Sequence, residues 1–211
     1  MSLPTPYRPV YFNGPPYPFI VLEGVSGIGK STLTQALTKR LRATSLHTLP
    51  APHTDWSPLV NQRLRALPQL AFYLSGLLHA ADAVRRARRV GPVVADRYAS
   101  SVVACHAAVH EVAVEEVAHL LEPFQPYFET PTHTFYLGCS EAALRERLAV
   151  KSDTKQDDLD LFAVPGRLAR LLANFQAVQA TDPTAVALDT DHKSPADLTD
   201  WIIAHLEAPS A

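Results

Sequence analysis

A glycine-rich segment between an apolar run and a helical pattern constrains this chain more than any other feature. Residues 24–31, GVSGIGKS, fit the pattern G-x-x-x-x-G-K-[ST] at every required position. The run before them, 19–23, has the short apolar form of a strand that is buried on both faces of a parallel sheet. Residues 31–41 after them carry apolar side chains at helical spacing. The sequence therefore predicts a strand, a tight phosphate-binding turn and a helix.

Each residue type in this segment has a chemical reason. Glycines let the backbone curl so that successive N–H groups point at phosphate oxygens, and the following helix adds its partial positive charge. Lys30 is expected to reach the β- and γ-phosphates of ATP, and the Ser31 hydroxyl is expected to ligate Mg²⁺. The predicted ATP-binding residues are Gly24, Val25, Ser26, Gly27, Ile28, Gly29, Lys30, Ser31 and Thr32.

Strand and helix patterns alternate along the rest of the chain. Further strands are predicted at 46–49, 92–95, 134–137 and 185–188. Helices are predicted across about 57–67, 69–90, 114–121 and 159–180, from about Ser100, and after the capping residues Ser140 and Ser194. This alternation predicts one α/β domain of three layers, with about five parallel strands and helices on both faces of the sheet.

Composition and charge narrow the class of protein. Hydrophobic residues make up 47% and charged residues 19%, which is ordinary for a globular chain. With a net charge of −2 and scattered basic residues, we expect no nucleic-acid partner. Two cysteines without metal-type spacing indicate a reducing cytoplasm, and the most apolar helical stretch, 68–84, is too short for a membrane span.

Residues 1–18 are set apart by six prolines, which exclude a helix or a central strand there. We predict an extended arm ahead of a folded domain over 19–211. The arm could be an inert surface segment or a docking element for a partner.

A charged pair follows the third predicted strand. Asp96 ends that strand and Arg97 comes next. The carboxyl ends of strands in an open α/β sheet line the ligand crevice, where Asp96 could hold Mg²⁺ through water and Arg97 could clamp an acceptor phosphate. The alternative is an Asp–Arg pair that only caps the next helix.

At this point the chain resembles thymidylate kinases and the wider nucleoside and nucleotide kinase group. The matching segments are 19–24 leading into the phosphate loop, 96–101 with Ala104, and 134–137 followed by Leu144, Arg147, Lys151 and Lys155. The resemblance covers roughly residues 19–207. It implies a three-layer P-loop kinase fold, a small lid at about 149–158, and ATP-dependent transfer of a phosphoryl group to a small acceptor.

The resemblance also implies roles for particular residues. Lid cations close on the phosphates in that family, and Lys30, Asp96 and Arg97 would act with the lid residues Arg147, Lys151 and Lys155 as the catalytic set. The lid residues could instead belong to a solvated charged loop. The implied acceptor-binding residues are Glu23, Phe72, Tyr73, Arg97, Tyr98, Ser101 and His106.

The chain departs from the family mainly in the acceptor site. Gly76 stands where an arginine that contacts the acceptor phosphate is usual, and Ser26 stands for an acid that meets the sugar hydroxyl. The second strand ends in Ala51-Pro52 instead of an acid before proline. Cys105 and His106 replace an aromatic residue and a glutamine. These changes predict an altered acceptor site beside an intact ATP site.

Three functions follow from this pattern. The first is a kinase of a dTMP-like nucleoside monophosphate, and the second is a kinase of an unphosphorylated nucleoside or other hydroxylated metabolite. The third is a nucleotide-binding module without catalysis. An alcohol acceptor would call for a general base, for which Asp96, Glu23, His106 and His53 are candidates.

One apolar set in the helix after Asp96 leaves the oligomeric state open. The apolar residues Val102, Val103, Ala107 and Val109 fit either a homodimer face or a core helix.

Overall fold

A parallel sheet forms the middle layer of the molecule. The computed structural model describes residues 7–10, 16–152, 154 and 156–208. Within these residues the sheet has five strands in the order β2-β3-β1-β4-β5, and every pairing is parallel. The strands are β1 (Phe19–Glu23), β2 (Thr44–His47), β3 (Val93–Asp96), β4 (His133–Gly138) and β5 (Ala185–Asp189).

Helices connect the strands and cover both faces of the sheet. They are α1 (Lys30–Leu41), α2 (His53–Arg63), α3 (Ala66–Ala87), α4 (Ala99–His110), α5 (Val114–Leu121), α6 (Glu141–Ala149), α7 (Gln156–Ala163), α8 (Arg167–Thr181) and α9 (Pro195–Glu207), with a 3-10 helix at Glu122–Tyr127. The predicted three-layer α/β fold with a five-stranded parallel sheet is therefore confirmed.

Strand β1 divides the core because its side chains alternate between the two faces. Ile20 and Leu22 share one buried cluster with Leu37 of α1 and Ile202 of α9. Phe19 and Val21 share a second cluster with residues of α3, α4 and α5, among them Leu77, Val103 and Leu121. Burial of this apolar surface is the main stabilising contribution, and it holds β1 at the centre of the sheet.

The register of β1 and β3 brings two charged residues to one edge of the sheet. Leu22 pairs with Asp96, and the Arg97 N–H donates to the Leu22 carbonyl at 3.0 Å. Glu23 and Asp96 therefore end adjacent strands at their carboxyl ends, where a parallel α/β sheet binds its ligands.

Element boundaries agree with the sequence pattern in some places and shift in others. The helix at 114–121 and the capping of α6 by Ser140 and of α9 by Ser194 are confirmed. The predicted strand at 46–49 lies two residues earlier, because Thr44 to His47 are the residues that pair with Val93 to Asp96. The two helices expected across 57–67 and 69–90 likewise begin and end three to four residues earlier.

The prediction of one long helix over 159–180 is wrong. The structure has two helices, α7 and α8, separated at Pro165 and Gly166. Proline disfavours helical geometry in the residue before it and cannot donate to the preceding turn. Gly166 then takes a φ of 71° as the N-cap of α8, a conformation that suits glycine.

The predicted arm and dimer face are only partly described. Most of residues 1–18 lie outside the described ranges, and Tyr17 is held by Arg88 through hydrogen bonds of 2.9 and 2.7 Å. Val102, Val103 and Ala107 are buried within the chain, which favours the core-helix alternative for them. Across the described part of the chain, no helix has both the length and the apolar character needed to cross a bilayer.

Candidate active site

The loop between β1 and α1 has the backbone of a phosphate cradle. Gly24 has a φ of 135°, and a Cβ there would lie 2.8 Å from the Leu137 carbonyl oxygen. Gly29 has a φ of 105° and is the N-cap of α1. Side chains at either position would strain this backbone, so glycine permits both the curl and the close approach to β4.

Lys30 begins α1 and is almost fully enclosed. Its Nζ donates to the carbonyl oxygens of Gly24 and Val25 at 2.9 and 2.7 Å, so the amine lies inside the curl of the loop. Burial, followed by the Arg97 guanidinium, lowers the pKa of Lys30 to about 7. The amine can therefore change its protonation state near neutral pH.

Ser31 and Asp96 meet at the mouth of the loop. The Ser31 hydroxyl donates to Asp96 Oδ2 at 2.5 Å, which joins the start of α1 to the end of β3. A hydroxyl and a carboxylate are hard oxygen ligands of the kind that Mg²⁺ takes, so this pair fits a magnesium site.

Arg97 lies between the phosphate loop and α4. Its φ is 74°, unusual for a residue with a side chain. Its Nη1 donates to the Gly24 carbonyl at 3.1 Å and to the Ser101 hydroxyl at 3.0 Å, with Cys105 Sγ at 3.9 Å. The guanidinium is thus held beside the cradle that Lys30 enters.

Glu23 caps the N-terminus of α4 from the neighbouring strand. Its carboxylate accepts the backbone N–H of Tyr98 at 2.8 Å and of Ser101 at 3.2 Å, and also accepts the Ser101 hydroxyl. It is fully buried, and burial raises its pKa against the opposing effects of Ser101 and Arg97. The Glu23 carboxylate and the Ser101 hydroxyl are therefore already bonded to each other.

Tyr98 lies in the core, in the cluster that contains Phe19 and Val21. Its ring packs edge-on against Phe19 at 5.1 Å, and its hydroxyl accepts the Glu129 N–H at 3.2 Å. Only 3% of the residue is exposed. The acceptor contact expected of Tyr98 stays a prediction, and its side chain is largely enclosed where it packs against Phe19.

Phe72, Tyr73 and His106 belong to one side-chain network. The rings of Phe72 and Tyr73 are 5.6 Å apart, and the Tyr73 hydroxyl donates to Asn61 Oδ1 at 2.8 Å. Asn61 also accepts from Gln69, which bonds His110 in turn, and the His110 ring lies 4.5 Å from that of His106. Helices α2, α3 and α4 thus form one polar wall.

His106 is neutral in this wall at physiological pH. Burial, followed by the neighbouring His110 ring, lowers the pKa of His106 to about 4. Its Nδ1 is buried and makes no hydrogen bond within the described part of the chain. An imidazole in this state can recognise a neutral polar group, but it cannot supply positive charge.

Arg147 of α6 forms a hydrogen bond with the backbone of the phosphate loop. One of its terminal nitrogens donates to the Ile28 carbonyl at 3.1 Å and to the Thr190 hydroxyl at 2.8 Å, and the other donates to the Thr190 carbonyl at 2.8 Å. Thr190 itself bonds Gly138 at the end of β4. The structure thus gives Arg147 contacts with the backbone of the loop.

Lys151 is connected to the phosphate loop by Asp158, which contacts both. Its Nζ is 2.6 Å from Asp158 Oδ2, and Asp158 Oδ1 accepts the hydroxyl of Ser26. Lys155, the third predicted lid cation, lies outside the described residues.

Comparison with known proteins decides the family. A family model described as thymidylate kinase matches residues 22–188. A probable thymidylate kinase of Natronomonas pharaonis is 28% identical over 183 residues, which is 81% of this chain and 93% of that protein. The chain belongs to the thymidylate kinase family. It is therefore a phosphotransferase, as its sequence predicted.

A solved thymidylate kinase structure from Candida albicans agrees with this family at the level of fold. Its TM-score is 0.73 at 15% sequence identity, over 91% of this chain and 92% of that chain. The thymidylate kinase fold thus accounts for nearly the whole length of the described domain.

The thymidylate kinase resemblance predicted an arginine where this chain has Gly76, and a side chain at this position would require Leu49 to move. A Cβ there would lie 2.4 Å from Leu49 Cδ2 and 3.4 Å from His53 Cδ2. His53 also packs against Phe72 with ring centroids 5.3 Å apart, and its Nε2 shares a hydrogen bond with Ser75 at 3.1 Å. Leu49 and His53 together fill this part of the site.

Sequence reasoning missed several members of the site. Asn61, Gln69 and His110 carry no motif. A spacing of four residues could have placed Gln69 with Tyr73, and His110 with His106, on one helix face, whereas Asn61 lies on a different helix. Asp158 was missed because it lies at the end of the predicted lid, 132 positions from Ser26 in sequence.

Proposed function

We propose that this thymidylate kinase family member transfers the γ-phosphoryl group of ATP to a nucleoside monophosphate of the dTMP type. The observation that carries the proposal is that Lys30 and Arg97 both donate to the Gly24 carbonyl, while the residues next to them in sequence, Ser31 and Asp96, bond each other. Lys30 and the loop would hold the phosphates of ATP, and the Arg97 guanidinium would hold the phosphate of the acceptor.

The donor side supplies charge stabilisation. Lys30 binds the β- and γ-phosphates together with the loop N–H groups, and Ser31 and Asp96 would hold Mg²⁺. Bound there, the metal ion supplies neutralisation of the charge that develops on the phosphates. An oxygen of the acceptor phosphate forms the new bond to the γ-phosphorus, the bridging bond to ADP breaks, and ADP leaves with the electron pair.

The acceptor side is bounded by Arg97 and the wall of α2, α3 and α4. Arg97 clamps the acceptor phosphate, while Phe72 and Tyr73 contact the base or sugar. His106 lies in the same network through its contact with His110, and we assign it to the base side of the acceptor site. The lid cations, Lys151 among them, add positive charge over the transferred group.

The state of Glu23 supports a phosphate acceptor over an alcohol. A monophosphate attacks with an oxygen that is already ionised, whereas an alcohol calls for a base within hydrogen-bond reach. Glu23 is fully buried and accepts three hydrogen bonds at the start of α4, so it is unsuited to remove a proton from an acceptor.

One observation favours a second function, phosphorylation of an unphosphorylated nucleoside. Leu49 and His53 lie against Gly76, so this position lacks the arginine that the family resemblance led us to expect and is lined by an apolar side chain and an imidazole. If Arg97 alone is too weak a clamp, the better acceptor lacks a phosphate. Asp96 would then be the candidate base, beside Ser31 of the phosphate loop.

An ATP-consumption screen with Mg²⁺ separates the two functions. One panel contains dTMP and other nucleoside monophosphates, and the other contains the matching unphosphorylated nucleosides. We expect turnover of dTMP or a related monophosphate, and we expect Arg97→Lys to reduce kcat/KM for that acceptor by about 100-fold through loss of bidentate contact.

Lys30→Met is the control, because it keeps the length of the side chain and removes the amine. It should abolish turnover of every acceptor. Turnover of unphosphorylated nucleosides alone would contradict the monophosphate kinase and support the second function. ATP binding without turnover in either panel would favour the module without catalysis.

A further inference from the structure

Asp158 connects the phosphate loop to a lid cation. It lies on α7, and its side chain is 2% exposed, whereas the side chain of Lys151 is 23% exposed. One carboxylate oxygen accepts the Ser26 hydroxyl, and the other lies 2.6 Å from Lys151 Nζ. Ser26 belongs to the loop that carries Lys30, so three separate segments meet at one carboxylate.

The buried position of the Asp158 carboxylate, close to the phosphate loop, needs a physical explanation. Next to a loop that binds a triphosphate, an uncompensated negative charge would repel the nucleotide and would be costly to bury. Its ion pair with Lys151 cancels that charge. The Ser26 hydroxyl satisfies the other oxygen and fixes the direction of the carboxylate.

We propose that Asp158 is a positioning residue, which holds the Lys151 ammonium at the Ser26 edge of the phosphate loop for phosphoryl transfer. This inference rests on the proposed kinase function and names a residue that the sequence pattern did not single out. A free lysine side chain samples many rotamers, whereas the Asp158 carboxylate selects the one directed at the loop. The lid cation is then in place before the charge on the transferred group develops.

The proposal predicts a specific kind of coupling between two residues. If Asp158 acts through Lys151, its effect on kcat vanishes once Lys151 has lost its charge. If Asp158 only stabilises the packing of α7, the two effects are independent and multiply.

A double-mutant cycle tests this coupling in the full chain. Asp158→Asn keeps the size and an acceptor oxygen for Ser26 but loses the charge that orders Lys151. We expect Asp158→Asn and Lys151→Met each to lower kcat by about tenfold or more, with KM for ATP changed less than threefold. The double variant should be no slower than Lys151→Met alone, and Asp158→Glu should recover most of the lost kcat.

Asp160→Asn is the matched control. Asp160 lies on the same helix, and its carboxylate accepts a 2.7 Å hydrogen bond from Gln156 within that helix. We expect its kcat to stay within twofold of the unmodified protein. A multiplicative loss in the double variant, or a loss confined to KM, would overturn the positioning role.

Hydrogen exchange gives a second readout that requires no turnover. Ser26→Ala removes the connection to the loop and leaves the ion pair intact. In the nucleotide-free protein we expect faster exchange over 156–163 in Ser26→Ala than in Asp160→Asn, and equal exchange would contradict the connection.

Failure of the kinase function and failure of the positioning role give different results. An unmodified protein that phosphorylates no acceptor would refute the kinase function. An active enzyme in which the effects of Asp158→Asn and Lys151→Met multiply would refute only the positioning role.

Discussion

Lys30 is almost fully enclosed, and its amine donates to two backbone carbonyls. Burial and the nearby Arg97 lower its pKa to about 7, far below the ordinary value for lysine. A phosphate group placed beside the same amine has the opposite effect, because a nearby negative charge favours the protonated form. Binding of nucleotide and binding of a proton are therefore linked at this residue.

This linkage predicts proton uptake when MgATP binds. At pH 8 the amine is mostly neutral in the free protein and becomes protonated beside the phosphates, so up to one proton is taken up per nucleotide. At pH 6 the amine is already protonated, and uptake falls toward zero. Titration calorimetry in two buffers of different ionisation enthalpy measures the number of protons. Lys30→Met should remove the difference between the buffers, and equal heats at pH 8 in the unmodified protein would contradict the lowered pKa.

The same lowered pKa affects stability in a defined direction. Between pH 7 and 10.5 the unfolded chain holds a proton on Lys30 that the folded chain has released. The cost of burying this amine is therefore complete below pH 7 and is lost as the pH rises through that window. Lys30 lowers the stability of the nucleotide-free protein at neutral pH, which is consistent with a residue retained for binding and not for packing.

At the scale of elements, Arg147 shows how one helix supports the loop of another. Its guanidinium joins α6 to the Ile28 carbonyl and to Thr190 after β5, three parts of the chain that local sequence does not connect. A planar guanidinium with several donors can serve these acceptors at once, whereas an ammonium cannot do so with the same geometry.

We expect Arg147→Ala to lower the free energy of unfolding by about 2 kcal/mol and to raise KM for ATP by about tenfold, because three hydrogen bonds that hold the loop are lost. Chemical denaturation and initial-rate kinetics measure the two effects. Arg147→Lys should recover only part of each.

Arg145 provides the control on the same helix. It bonds the exposed Glu141 and lies 3.8 Å from the ring centroid of Phe162, so its replacement by alanine should cost less than about 1 kcal/mol. KM for ATP should not change in Arg145→Ala. An equal rise in KM for both variants would show that Arg147 has no special relation to the loop.

The break between α7 and α8 also matters at this scale. Pro165 and Gly166 separate the two helices, and α7 is thereby free to take a direction of its own. In that direction Asp158 reaches Ser26, across 132 positions of sequence. A single helix over 159–180, as the apolar spacing suggested, would not have allowed α7 this separate orientation.

At the scale of the whole molecule, the site gathers at the carboxyl ends of β1 and β3. Residues from both strands, from the start of α1 and from the start of α4 meet there, and α6 and α7 approach from the other side. A ligand that contacts so many elements is expected to stabilise the entire fold and not only one loop.

Thermal unfolding measures this global effect. MgATP at about 100 times its Kd should add about 2.7 kcal/mol of stability, which corresponds to a rise in Tm of about 5–10 °C for a chain of this size. Arg145→Ala should show the same rise as the unmodified protein. No rise at saturating nucleotide would contradict binding at the phosphate loop.

Much of the fold could be predicted because its signals are local. The buried strand, the glycines of 24–31 and the helical spacing after them lie within one stretch of chain, and the alternation that follows repeats the same elements. Boundaries were less accurate where pairing decides them, as for β2, whose residues are set by their register with β3. The family was accessible for the same reason, since its motifs are short and continuous.

By itself the sequence determined the order of strands and helices, the phosphate loop and the charged pair at 96–97, because backbone conformation and periodicity are local properties of a chain. Only the tertiary structure decided that Tyr98 faces the core, that Leu49 and His53 fill the space above Gly76, and that Asp158 reaches Ser26. These contacts depend on how helices pack against a twisted sheet, since side chains distant in sequence carry no periodic signal of one another. The proposed acceptor site would depend mainly on such contacts, whereas the phosphate loop is built mainly from neighbours in sequence.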